Sequence, residues 1–139
     1  MTNKSSPLLE IRNLQSEFLT SGHWNPVVRD ISLSIHPNET LAVVGESGSG
    51  KSVTALSTMR LLPKGGARIG AGQILFEGED LAQATEQRMR QLRGNRLAMI
   101  FQEPMTSLNP TMRAGIQVAE SLRLHRKINA TEARTEAIE

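Results

Sequence analysis

Gly45-Glu46-Ser47-Gly48-Ser49-Gly50-Lys51-Ser52 has the spacing G-x-x-x-x-G-K-[ST] and follows an apolar run, Leu41-Ala42-Val43-Val44, that reads as a buried strand. That pattern is the signature of a phosphate-binding loop. A tight loop that aims successive backbone N–H groups at phosphate oxygens needs glycines, which approach closely and accept dihedrals that other residues avoid. Lys51 adds a point charge within reach of β- and γ-phosphates, and the Ser52 hydroxyl suits Mg²⁺. The helix that follows offers its positive N-terminal end to the anion. The plain alternative is a glycine-serine linker that happens to end in Lys-Ser. It fails on both flanks, because linkers are not entered from Leu-Ala-Val-Val or left through Val53-Thr54-Ala55-Leu56.

Working outward, Leu8 to Phe18 alternates in part, and Val27 to Ile35 alternates better through Ile31, Leu33 and Ile35, so two antiparallel strands are expected. Thr20 to Pro26 reads as the loop between them, and His36-Pro37-Asn38 turns the chain toward the strand ahead of the phosphate loop. Beyond Lys51, the apolar positions Val53, Leu56, Met59 and the pair Leu61-Leu62 predict an amphipathic helix, stopped by Pro63 and Gly65-Gly66. Gln73 to Phe76 reads as a short strand closed by Glu77-Gly78, followed by a polar helix over about Glu86 to Leu92. Leu97-Ala98-Met99-Ile100-Phe101 is a continuous apolar run of strand length, expected to be buried in a sheet. From Arg113, the spacing of Ile116, Val118, Ala119, Leu122 and Leu124 predicts a helix. Asn129-Ala130-Thr131-Glu132 has the form of an N-cap with a reaching glutamate, and the sequence stops inside the helix it opens.

Composition bounds the rest. A chain of 139 residues with 38% apolar and 22% charged residues is ordinary for one soluble domain or less. A formal charge of +2 is too small to imply a nucleic-acid partner, and Arg88, Arg90, Arg93 and Arg96 read as a solvated helix face. Cysteine is absent, which rules out disulfides and thiolate metal sites and fits a cytosolic protein. Met1 to Ser6 does not have the form of a signal peptide, and no window holds eighteen consecutive apolar residues, so any membrane role is expected to come through partners. His23, His36 and His125 stand singly without ligand spacing and read as surface residues.

A phosphate loop alone is shared by many nucleotide-dependent proteins, and Met99-Ile100-Phe101-Gln102-Glu103-Pro104-Met105-Thr106-Ser107-Leu108-Asn109-Pro110 discriminates among them. This stretch closely resembles the Q-loop region of ABC transporter ATPases, specifically the importer subfamily for dipeptides, oligopeptides and glutathione. Ser107 to Pro110 narrows the resemblance to peptide-type importers. The resemblance runs from about Leu8 onward. It implies an α/β fold, the N-terminal half of a RecA-like phosphate-loop core, with an antiparallel β region at its start. Residues 8–101 would hold that region, the phosphate loop and the core, and residues 102–139 the Q-loop and the start of a helical subdomain.

The resemblance also implies roles. Gln102 would contact Mg²⁺ or the attacking water and report nucleotide state to membrane subunits, which suits an amide carrying an acceptor and two donors on one stem. Phe18 would stack on adenine, for which only a flat π-face is needed, with Trp24 as its competitor and a plain core role as the alternative. The implied cofactors are ATP and Mg²⁺. The implied partners are membrane-spanning permease subunits, a second ATPase subunit and, indirectly, a periplasmic or extracellular substrate-binding protein. The expected location is the cytoplasmic face of the plasma membrane, held there peripherally.

Proteins of this family are roughly twice as long and carry three further elements that are not in this sequence. These are an LSGGQ-type signature, an apolar run ending in Asp-Glu and a switch histidine. The phosphate loop supplies binding and charge neutralisation, whereas hydrolysis also needs a positioned water and base. The chain is therefore expected to be an N-terminal piece that binds ATP without turning it over, with uncovered strand edges. A small phosphate-loop kinase using Arg88 to Arg96 is a competing reading, but it leaves the Phe101 to Pro110 stretch unexplained. A truncated product that competes for the membrane subunits, or has no role, is another.

Overall fold

The computed structural model describes residues 6–102, 108–126 and 128–138. Its contacts divide the chain into two units, residues 1–89 and 90–139. The first is organised by a four-stranded antiparallel sheet of β1 (Leu9–Thr20), β2 (His23–Ile35), β3 (Ala67–Phe76) and β4 (Glu79–Asp80), in the order β2-β1-β3-β4. The expected antiparallel pair is present and longer than its alternation indicated. Ser21 and Gly22 both have positive φ, 52° and 78°, so Thr20 faces His23 across a two-residue turn. The loop expected over Thr20 to Pro26 is therefore only a turn, and His23 to Pro26 belong to β2. Pro26 masked this extension, yet β2 is an edge strand, where a missing N–H is tolerated.

The three long strands are irregular at two levels, the first near Asn13 and the second around Ser16. β1 shifts register between Ile11 and Leu14 against β2, and between Arg12 and Gln15 against β3. Asn13, Asp30 and Gly72 adopt left-handed backbone there, with φ of 47°, 51° and 89°. The Asn13 amide donates to Asp30 Oδ1 at 2.6 Å, and the Asn13 N–H donates to Ser32 Oγ at 2.9 Å. A Cβ at position 72 would lie 2.4 Å from the Asn13 carbonyl oxygen, so only glycine fits. Bulges bend and twist the strands that carry them. Ile11, Leu14, Val28, Ile74 and Phe76 are buried, as are Leu81 and Met89 further along the unit.

Helix α1 (Lys51–Thr58) meets this sheet through Ser57, which is fully buried against Ser16 of β1. It stops earlier than its apolar spacing predicts. Arg60 takes a left-handed φ of 51°, the Arg60 N–H donates to the Ser57 carbonyl, and the Leu61 N–H donates to the Leu56 carbonyl. That is the pairing of a Schellman motif, with arginine where glycine is usual. The Arg60 guanidinium donates to the carbonyls of Leu81 and Ala84, so tertiary bonds accompany the unusual dihedral.

Two expected strands do not form. Leu41 to Val44 has no strand pairing and is exposed, Val44 at 89%. Leu97 to Phe101 makes one isolated bridge, between Arg93 and Leu97, and Ile100 is 98% exposed. Both runs have the composition of central strands, but a strand exists only through ladder bonds to a neighbour, and among the described residues none lies alongside either run.

Helix α2 (Glu86–Leu92) covers the expected span. Arg88 on it pairs with Glu79 at 2.8 Å, and Arg93 and Arg96 lie beyond its end, so the four arginines do not form one solvated helix face. The second unit holds α3 (Ala114–Arg126) and α4 (Ala130–Glu136), tied by an Arg126–Glu136 pair at 2.6 Å. Asn129 Oδ1 accepts from the N–H groups of Thr131 and Glu132, while Glu132 accepts from the Asn129 N–H, the reciprocal cap expected from the sequence. Helix α4 closes at Glu136. Of the histidines expected at the surface, His23 is exposed while His36 and His125 are half-buried.

Candidate functional site

The octapeptide from Gly45 to Ser52 folds into a loop wrapped around a lysine. Lys51 Nζ donates to the carbonyl oxygens of Gly45 at 2.7 Å and Glu46 at 2.6 Å, and to Ser49 Oγ at 3.2 Å. The Ser49 N–H returns to the Glu46 carbonyl at 3.2 Å. Gly50, with φ of 92°, turns the loop into α1 as its N-cap. Its φ favours glycine, and a Cβ there would lie a tight 3.1 Å from Val28 Cγ2. Thr54 tightens this turn, its N–H and its hydroxyl both donating to the Gly50 carbonyl, at 2.8 and 3.0 Å. Glu46, Ser47, Gly48 and Ser49 are exposed around the loop, and Ser52 is exposed in the first turn of α1. A helix N-terminus preceded by exposed loop amides attracts anions, and Lys51 adds a full charge.

Phe18 and Trp24 lie on opposite faces of the sheet. β1 pairs regularly with β3 from Ser16 to Phe18, so Phe18 shares the Ser16 face, which α1 meets through Ser57 and the Gly45 to Ser52 loop meets through Gly50 against Val28. Trp24 pairs with Leu19 on the other face, where the Arg68 guanidinium sits 4.2 Å from its ring centroid. Arg68 also donates to Glu17 Oε2 at 2.7 Å, and Gln15 donates to Glu17 Oε1 at 2.8 Å. These two hydrogen bonds, Arg68 first, hold the Glu17 carboxyl below the usual carboxylate range. Phe18 is half-buried and lies two residues inside the end of β1, not at its end.

Gln102 is exposed and belongs to the second unit, whereas Phe18 and all eight loop residues belong to the first. Glu103 to Ser107, the middle of the stretch that carries the Q-loop resemblance, lies outside the described residues. Just after it, the Gln117 side chain of α3 accepts from the Asn109 N–H at 2.8 Å and donates to the carbonyls of Asn109 and Met112, each at 2.9 Å. A side-chain amide thereby imitates a paired backbone and fixes the Leu108-Asn109-Pro110 segment to α3. Sequence reading missed this clamp, as it missed Val28 and the Ser16–Ser57 contact, because no local pattern marks a long-range partner. Among the described residues no group of three or more His, Cys, Asp or Glu side chains is arranged to hold a metal, and no helix is long and apolar enough to cross a membrane.

With this geometry in place, known proteins supply the context. A family model described as "ABC transporter" matches residues 28–138. A Brucella abortus (strain 2308) protein named for peptide import and ATP binding is 48% identical over 136 residues, covering 98% of this chain and 41% of its own length. The oligopeptide transport ATP-binding protein OppD of Bacillus subtilis (strain 168) is 46% identical over 132 residues, covering 95% of this chain and 37% of its own length. The chain thus spans about two fifths of the length of these curated relatives. The solved dimeric structure of the bacterial ABC transporter cassette MJ0796 matches with a TM-score of 0.78 at 18% identity, covering 94% of this chain and 54% of that one, a likeness of fold. By the extent of the family match and the shared fold, this chain belongs to the ABC transporter family.

Proposed function

We propose that this chain is the nucleotide-binding part of the ATPase subunit of a peptide importer, taking dipeptides, oligopeptides or glutathione, and that it binds Mg-ATP through Gly45 to Ser52. The observation that carries the reading is the loop itself, with Lys51 at its centre and Gly50 turning it into α1. The relatives named for peptide import and oligopeptide transport supply the substrate class. Phe18, on the sheet face that α1 meets, is the adenine platform, and Trp24, on the far face under Arg68, is not.

Mg²⁺ is a hard cation usually held by one or two protein oxygens together with phosphate oxygens and water. The exposed Ser52 hydroxyl fits that role. When bound, the ion neutralises charge between β- and γ-phosphates. Lys51 exchanges one of its carbonyl partners for a phosphate oxygen, a charge-assisted contact worth about 1.5–3 kcal/mol. ATP hydrolysis by the whole ATPase requires a positioned water and base, so the 139 residues by themselves bind without turnover. The partners are permease subunits in the membrane, a second ATPase subunit and, through them, an external substrate-binding protein. The location is the cytoplasmic face of the plasma membrane. Calorimetry with Mg-ATP tests the assignment: Lys51→Ala is expected to weaken binding at least tenfold, and equal affinity in two folded proteins would refute it.

A further inference from the structure

Ser16 and Ser57 form a buried hydroxyl pair that the nucleotide reading has not used. Their Oγ atoms are 2.7 Å apart, and both residues are 0% exposed. Ser57 Oγ also donates to the Val53 carbonyl at 2.6 Å, which commits its one hydrogen. The hydrogen between the two serines is therefore Ser16's, and the chain runs Ser16 to Ser57 to Val53. One directed bond joins β1 to the last turn of α1. The other end of the same helix rests on the sheet through Gly50 and Val28, and Val28 is the register partner of Ser16.

Apolar contacts allow a helix to slide along a sheet, whereas a hydroxyl pair shut away from bulk solvent has one good length. The pair therefore sets the axial position of α1, and with it the height of the phosphate loop above β1. Two residues beyond Ser16, on the same face, stands Phe18. We infer that Ser16 and Ser57 are positioning residues that set the span between the base platform at Phe18 and the phosphate loop, so that the site selects a nucleoside triphosphate over a bare polyphosphate.

This rests on the nucleotide reading, and the test separates the two. Affinities of the 139-residue chain for Mg-ATP and for Mg-tripolyphosphate are measured by calorimetry in wild type, Ser16→Ala and the double variant Ser16→Ala/Ser57→Ala. The double variant removes both hydroxyls at once and leaves no orphaned donor, so it guards against a folding failure of the single change. The expected result is a roughly three- to tenfold loss of ATP affinity in Ser16→Ala and in the double variant, with tripolyphosphate affinity unchanged. Phe18→Ala is expected to lose the same preference for ATP, and adding Ser16→Ala to it to cost nothing more. Equal losses for both ligands, or unchanged ATP affinity in folded variants, would overturn the inference while leaving the phosphate loop intact. No binding of either ligand by folded wild type would overturn both.

Discussion

β1 and the run Leu41 to Val44 both look like strands to a reader of sequence, and the structure treats them oppositely. β1 is the less regular of the two, with two charged residues in its first half and a bulge at Asn13, yet it pairs on both sides along most of its length. Leu41 to Val44 is uniformly apolar, has no ladder, and leaves Val44 almost wholly exposed. Apolar content therefore does not make a strand. β1 has a hairpin partner that follows directly after a two-residue turn, so its pairing is local, whereas a central parallel strand needs neighbours delivered by crossovers.

The sharpest way to break this contrast is to truncate one residue in each region. Leu14 is fully buried in β1, and Leu14→Ala is expected to cost about 2–5 kcal/mol, from lost burial and the cavity left behind. Urea unfolding followed by the fluorescence of Trp24, the one tryptophan, reads it out. A cost below about 1 kcal/mol would mean that the β1 core is not packed as described.

A smaller effect, confined to acid, sharpens the account of the paired sheet. The Glu17 carboxyl is held below its ordinary range in the folded chain, first by Arg68 and then by Gln15. The stabilisation is thus fully present above the unfolded carboxylate pKa, near ~4.3, and is lost as pH falls through the lowered folded value. Glu17→Gln is expected to flatten part of the acid limb of a stability-versus-pH curve and to leave its slope near neutral pH unchanged. Only part of the limb responds, because Glu10 and Glu79 are lowered by Arg12 and Arg88 in the same direction. An acid limb identical to wild type would remove Glu17 from the explanation.

The smallest effect is expected in the unpaired run. Val44→Thr keeps the shape of an exposed side chain, and its cost should stay within about 0.5 kcal/mol by the same urea measurement. A cost comparable to Leu14→Ala would show that Val44 is buried in solution, as it would be if a second copy or another chain paired with this edge.

The residues by themselves determined what depends on near neighbours in the chain. Gly50 and Lys51 shape the Gly45 to Ser52 loop because conformational freedom and charge are properties of single residues at fixed spacing. Asn129 and Glu132 cap α4 because the reciprocal bonds close within four residues. The antiparallel pairing of β1 with β2 was legible for the same reason, although Pro26 hid how far it extends. The tertiary structure alone decided what depends on distant partners. It showed that Leu41 to Val44 and Leu97 to Phe101 carry the composition of strands without being strands, that Arg60 ends α1 ahead of Pro63, and that Phe18 and Trp24 stand on opposite faces. It also showed that a hydroxyl on β1 meets one on α1 forty-one residues later. A hydrogen-bond partner, a sheet neighbour and a buried face are relations between segments, and local pattern carries only the capacity of each segment to enter them.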